Sequence, residues 1–229
     1  MAKHLRSFLG SFAVSDGTYY MEADRKLFRW EPGTTEWYDT GLTDEGEATF
    51  AFSEFSDIAA IGFKTAVSDS TVYVGKRDGH LFQSFDEGNT WNDITADLPF
   101  SVTEFKAITF AGSTVSVATD VGVASSSDGK QWHAVTDVEG TQVVVEKLAA
   151  DGSTVYGATE KRVYQLKENT NAWKQVTPEV PGTITSLTID GDTLYIGTLG
   201  RGVLRFALDE TSVDDEQEGA SGDSKKVGE

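Results

Sequence analysis

A Ser-x-Asp-x-Gly turn closed by tryptophan, an apolar strand motif recurring five times at about forty residues, and the lack of any sustained helical period point to one fold class. Together they predict an all-β chain, a five-bladed β-propeller of four-stranded antiparallel blades. The turn is fullest at Ser84-Phe85-Asp86-Glu87-Gly88-Asn89-Thr90-Trp91 and returns shortened at Ser126-Ser127-Asp128-Gly129-Lys130-Gln131-Trp132. Its serine and aspartate oxygens are placed to accept backbone N–H groups, its glycine allows the tight reversal, and its indole drops onto the next strand. Such chemistry shapes a hairpin. Ser84, Asp86, Gly88, Trp91, Ser126, Asp128 and Trp132 are therefore structural candidates rather than catalytic ones.

The strand motif is Thr71-Val72-Tyr73-Val74-Gly75, with copies at residues 114–118, 154–158 and 193–197 and a weaker one at 18–21. Its third positions, Tyr20, Tyr73, Ser116, Tyr156 and Tyr195, step by 53, 43, 40 and 39 residues, while Trp91, Trp132 and Trp173 step by 41 and 41. These steps match one four-stranded blade. Within a copy the order is strand, short turn, strand, loop, strand, Asp turn, strand. In the third copy this reads 105–110, 114–119, 122–126 and 131–135. Val, Ile, Thr and Tyr alternate with polar residues in these runs, as pleated strands require. Asp16-Gly17, Asp151-Gly152 and Asp190-Gly191 supply hairpin turns.

Two stretches depart from the repeat. Residues 43–56 lengthen the link between the first two copies and are expected to form a long loop. Residues 209–229 hold eight acids against two lysines and no aromatic, so a disordered acidic tail is expected after a single domain over residues 1–208. The fifth copy has no tryptophan strand of its own. Its closure draws on His4 to Phe8, on residues just after Leu208, or on nothing, leaving three strands.

The 229-residue chain carries a formal charge of −18, from 37 acids and 19 bases. Such a surface repels nucleic acid and anionic membranes. It has no cysteine and no apolar run of membrane-spanning length, so disulfides, thiolate chemistry and a membrane span are not expected. The three histidines share no spacing, so no metal site and no cofactor are expected either. A monomer is favoured, and an extracytoplasmic or secreted placement is the expectation should Met1 mark a boundary within a longer protein.

The turns at Ser84–Trp91 and Ser126–Trp132, with degenerate forms at Glu168–Trp173 and Glu31–Trp37, resemble the BNR or Asp-box repeats of sialidase-like propellers and their non-enzymatic relatives. The resemblance spans roughly residues 9–208. It implies that the Asp turns lie opposite the ligand face and that the loops between second and third strands lie on it. Sialidases add an Arg-Ile-Pro segment, an arginine triad and a tyrosine nucleophile. No Arg-Ile-Pro occurs here, so sialidase activity is not expected.

The ligand-face loops would then be residues 24–26, 76–80, 119–122, 160–162 and 199–201. These 18 residues hold seven of the 19 basic side chains and are net positive by three in a strongly negative protein. Arg25, Lys26, Lys76, Arg77, Lys161, Arg162 and Arg201 are the candidate binding residues. Guanidinium and ammonium groups gathered on one face would take an acidic peptide, a carboxylated glycan or another anion. The competing reading is a glycan-cleaving enzyme with carboxylates in the central funnel, for which Glu104, Glu146 and Asp57 are the candidates, because glycoside hydrolysis uses two carboxyl groups flanking the bond.

Overall fold

The computed structural model describes residues 11–44, 62–167, 170 and 172–208. The first four-stranded antiparallel unit is β1 (Phe12–Ser15), β2 (Thr18–Ala23), β3 (Lys26–Trp30) and β4 (Tyr38–Thr43). The second is β5 (Lys64–Ser68), β6 (Thr71–Gly75), β7 (Leu81–Ser84) and a two-residue β8 (Asn92–Asp93), followed by a 3-10 turn at Thr95–Asp97. The third contains β9 (Phe105–Ala111), β10 (Thr114–Thr119), β11 (Val123–Ser126) and β12 (His133–Asp137). The fourth contains β13 (Lys147–Asp151), β14 (Thr154–Ala158), β15 (Val163–Leu166) and β16 (Ala172–Gln175). The last has three strands among the described residues, β17 (Ile184–Asp190), β18 (Thr193–Thr198) and β19 (Gly202–Ala207).

Each unit is a meander because its turns are short and carry residues that tolerate positive φ. Asp16 and Gly17 (φ 48° and 79°) reverse the chain between β1 and β2. The fourth strand of the third unit begins two residues later than the alternation suggests, at His133, since Trp132 still belongs to the Asp turn. One link was not foreseen: β12 pairs in parallel with β16, Thr136 beside Ala172 and Asp137 beside Trp173, fusing the outer edges of the third and fourth units into one eight-stranded sheet.

The core lies between consecutive units. Tyr20, Leu27 and Leu42 of the first meet Phe63, Val72 and Val74 at the second. Tyr73 and Leu81 meet Val115, Val117 and Trp132 of the third. Val123 and Val135 meet Val155 and Trp173 of the fourth, and Tyr156 and Val163 meet Leu194 and Ile196 of the last. These strands present apolar side chains on both faces, and each fully buried valine or leucine contributes about 1.5–3 kcal/mol. The innermost strands β1, β5, β9, β13 and β17 pack in that order around the interior. His4 to Phe8, residues 45–56 of the long link, Glu168 and the acidic tail lie outside the described residues.

Candidate functional site

Register divides the molecule into two faces. Lys64 at the start of β5 stands opposite Gly75 at the end of β6, and Lys147 at the start of β13 opposite Ala158 at the end of β14. First strands therefore begin on the face where the loops between second and third strands emerge. Backbone bonds tie those loops to the connections between units: Asp44 N–H donates to Arg25 O and Ile184 N–H to Glu160 O on the way into the next unit, and Asp120 N–H donates to Glu104 O at the entry to its own. The Asp turns join third to fourth strands and lie at the other end.

On that other face the charges are spent locally. Asp86 accepts from the Thr90 N–H at 2.8 Å, from the Ser84 hydroxyl at 2.7 Å and from the Thr90 hydroxyl at 2.7 Å, and these bonds hold its carboxyl down at about 2. Ser84 Oγ accepts in turn from the Gly88 N–H. The turn also reaches the first unit: Glu87 O accepts from Tyr20 Oη and Arg29, and Trp91 Nε1 donates to Thr40 O. The second Asp turn repeats the chemistry, with Asp128 accepting from the Lys130 and Gln131 N–H groups. Gly129 sits against Gln83 and Tyr73, and Trp132 meets Tyr73 edge-on at 5.9 Å. Burial pushes the Tyr73 phenol up to about 12.

The loop face receives the seven basic residues very differently. Arg77 is committed to the interior, bonded to Glu22 at 2.9 Å and Asp44 at 3.0 Å, with its side chain 16% exposed and the two carboxylates 2% and 0%. Burial raises Glu22 above the usual carboxyl range, although the Phe63 N–H and Arg77 both favour its charge. Lys76 pairs with Asp78 at 3.1 Å and lies over the Phe82 ring, and Lys26 pairs with Asp39. Lys161 meets Glu179 at 3.5 Å, both half-exposed. Arg25, Arg162 and Arg201 are exposed on their hairpins, Arg25 at φ 63°.

Two of the funnel carboxylates lie together and share a cation. Lys106 bonds Glu104 at 2.9 Å and lies 3.5 Å from Glu146. Burial works against the Lys106 charge, but the two glutamates outweigh it and hold its ammonium above the ordinary lysine range. Asp57 is outside the described residues.

Lys64 and Lys147 are the site residues that the sequence reading missed. Lys106 occupies a bulge opposite Ala118 and Thr119, so Lys64, Lys106 and Lys147 mark the entry ends of three successive innermost strands. Burial depresses Lys64, and the Lys147 and Lys106 ammonium groups depress it further against the pull of Glu104 and Glu22. The spacing of the three lysines, 42 and 41 residues, repeats the blade period and was the available signal. Ammonium groups are suited to carboxylate or phosphate oxygens; no three His, Asp or Glu side chains gather as metal ligands among the described residues.

No protein-family model and no curated protein matches the sequence. Solved structures do match in shape. YCF48 bound to D1 peptide superimposes with a TM-score of 0.59 at 12% identity, covering 85% of this chain and 62% of that one. PorZ, a surface component of the type-IX secretion system of Porphyromonas gingivalis, gives 0.63 at 15% over 89% of this chain and 27% of its own. The GH74 enzyme of Niastella koreensis gives 0.58 at 15%, over 89% and 31%. These neighbours are β-propellers. The chain has a β-propeller fold. It spans less than two thirds of the length of each of these three structures, and no helix among the described residues is long and apolar enough to cross a membrane.

Proposed function

We propose that this chain is a non-catalytic binding module, a single propeller domain of five blades with turns of the Asp-box kind, that docks an anionic ligand on its loop face. The observation that carries the reading is the placement of Lys64, Lys106 and Lys147 at the entry ends of three successive innermost strands, in a protein of net charge −18. Arg25, Arg162 and Arg201 on the surrounding hairpins extend the same sign outward. A cationic patch within an acidic body focuses anions onto itself and repels them elsewhere. An acidic peptide or a carboxylated glycan fits, since both present oxygens that ammonium and guanidinium groups bind strongly. Peptide binding by YCF48, a neighbour in fold, is in keeping with this reading. Glu104 and Glu146 serve here as partners of one ammonium, whereas glycoside hydrolysis assigns two carboxyl groups opposite proton roles.

A fluorescent deca-glutamate peptide is the probe. At low salt it is expected to bind the full chain saturably, and to lose binding in the Lys147→Glu, Arg162→Glu, Arg201→Glu triple variant. Equal binding by the triple variant, or none by the parent, overturns the docking reading. Hydrolysis of any member of a glycan panel, abolished by Glu146→Gln, overturns the non-catalytic one.

A further inference from the structure

Among the described residues the last unit differs from the other four at its outer edge. In each of those units a fourth strand pairs with the third: β4 with β3, β8 with β7, β12 with β11 and β16 with β15. Among the described residues nothing pairs with the outer side of β19. That strand is six residues long and lies fully in register with β18 from Gly202 to Ala207. Alternate backbone N–H and C=O groups therefore point outward along its length, the arrangement that recruits another strand.

The side chains specify what would pair there. Leu204 and Phe206 lie on one face, partly buried against the core that contains Val180, Leu194 and Ile196. Val203, Arg205 and Ala207 lie on the other and are exposed, Val203 by 70%, with Arg205 directly opposite Tyr195. Arg201 is exposed on the hairpin just before the strand. A second copy of β19 would set arginine near arginine, so self-pairing is opposed by charge. A strand alternating apolar and acidic side chains extends the core beyond Leu204 and Phe206 on one face and meets Arg205 on the other, at the 4.5–5.5 Å of cross-strand neighbours.

We infer that the β19 edge is a second binding site, which takes an extended acidic and apolar segment of a partner protein as the fourth strand of the last sheet. This inference stands whether or not the loop face binds an anion.

The probe is a synthetic peptide of residues 36–44 (Glu-Trp-Tyr-Asp-Thr-Gly-Leu-Thr-Asp), since that stretch already completes the equivalent sheet of the first unit and carries three carboxylates. Added to the full chain, it is expected to bind saturably and to slow amide exchange across residues 202–207. Arg205→Glu is expected to weaken it about tenfold or more, while the Lys147→Glu, Arg162→Glu pair leaves it unchanged. No binding, as when a segment of the chain itself covers the edge, overturns the inference. So does equal binding by a scrambled peptide, or protection confined to the loop face.

Discussion

The two ends of the blades use the same residue types to opposite effect. At the Asp-turn end, Asp86 and Asp128 turn their carboxylates onto their own backbone, and Arg29 is held between Glu31 and Glu87 at 3.1 and 3.4 Å. Charges there are answered within one turn or across one joint. At the loop end, lysines of three innermost strands and arginines of three hairpins are gathered on one face, with Glu104 and Glu146 drawn onto Lys106. One end is built as a joint and the other as a surface, and the difference follows from which strand ends each presents.

Arg77 gives the sharpest test of that division, because it lies at the loop end yet is built like a joint residue. Arg77→Ala leaves Glu22 and Asp44 buried without their cation and is expected to cost about 3–5 kcal/mol in urea denaturation. Deca-glutamate affinity under native conditions should be unaffected. A variant of normal stability that loses the peptide would move Arg77 from the joint to the surface.

Gly129→Ala comes next. Its Cβ would run into Gln83 and Tyr73 at φ 68°, so a loss of about 1–3 kcal/mol is expected, again in denaturant. An unchanged midpoint would mean that the second Asp turn does not clamp the joint it touches.

The Asp turns also predict a pH window. Asp86 titrates at about 2 when folded against an ordinary 3.8, so its contribution is complete above about pH 4 and is lost as pH falls through about 2. Asp128 is lowered as well and acts with the same sign. Amide exchange at Gly88 and Thr90 should accelerate over that window, and Asp86→Asn should flatten the dependence. The smallest effect is expected at the exposed hairpins, where Arg162→Glu with Arg201→Glu should change stability by no more than about 0.5 kcal/mol. A larger loss would make them joint residues too.

Strand order was legible because turn chemistry and alternation are local: Ser84 to Trp91 and the Thr-Val-Tyr motif each report on a few consecutive residues. The fate of a charged side chain is not local. Nothing near Arg77 in sequence shows that Glu22 and Asp44, 55 and 33 residues earlier, close around it. Lys161 likewise meets Glu179, eighteen residues later, whereas Lys76 finds Asp78 within its own hairpin. The parallel pairing of β12 with β16 depends on how two units tilt, which no single strand encodes. Lys64 and Lys147 are legible only through their spacing, because lysine carries no strand signal of its own.

The division between joint and surface is tested most directly by amide hydrogen exchange of the full chain with and without deca-glutamate. Protection is predicted at the entry ends of β5, β9 and β13 and at residues 160–162 and 199–201, with residues 84–91 and 126–132 unchanged. Protection concentrated on those two turns, with the loop end silent, would contradict it.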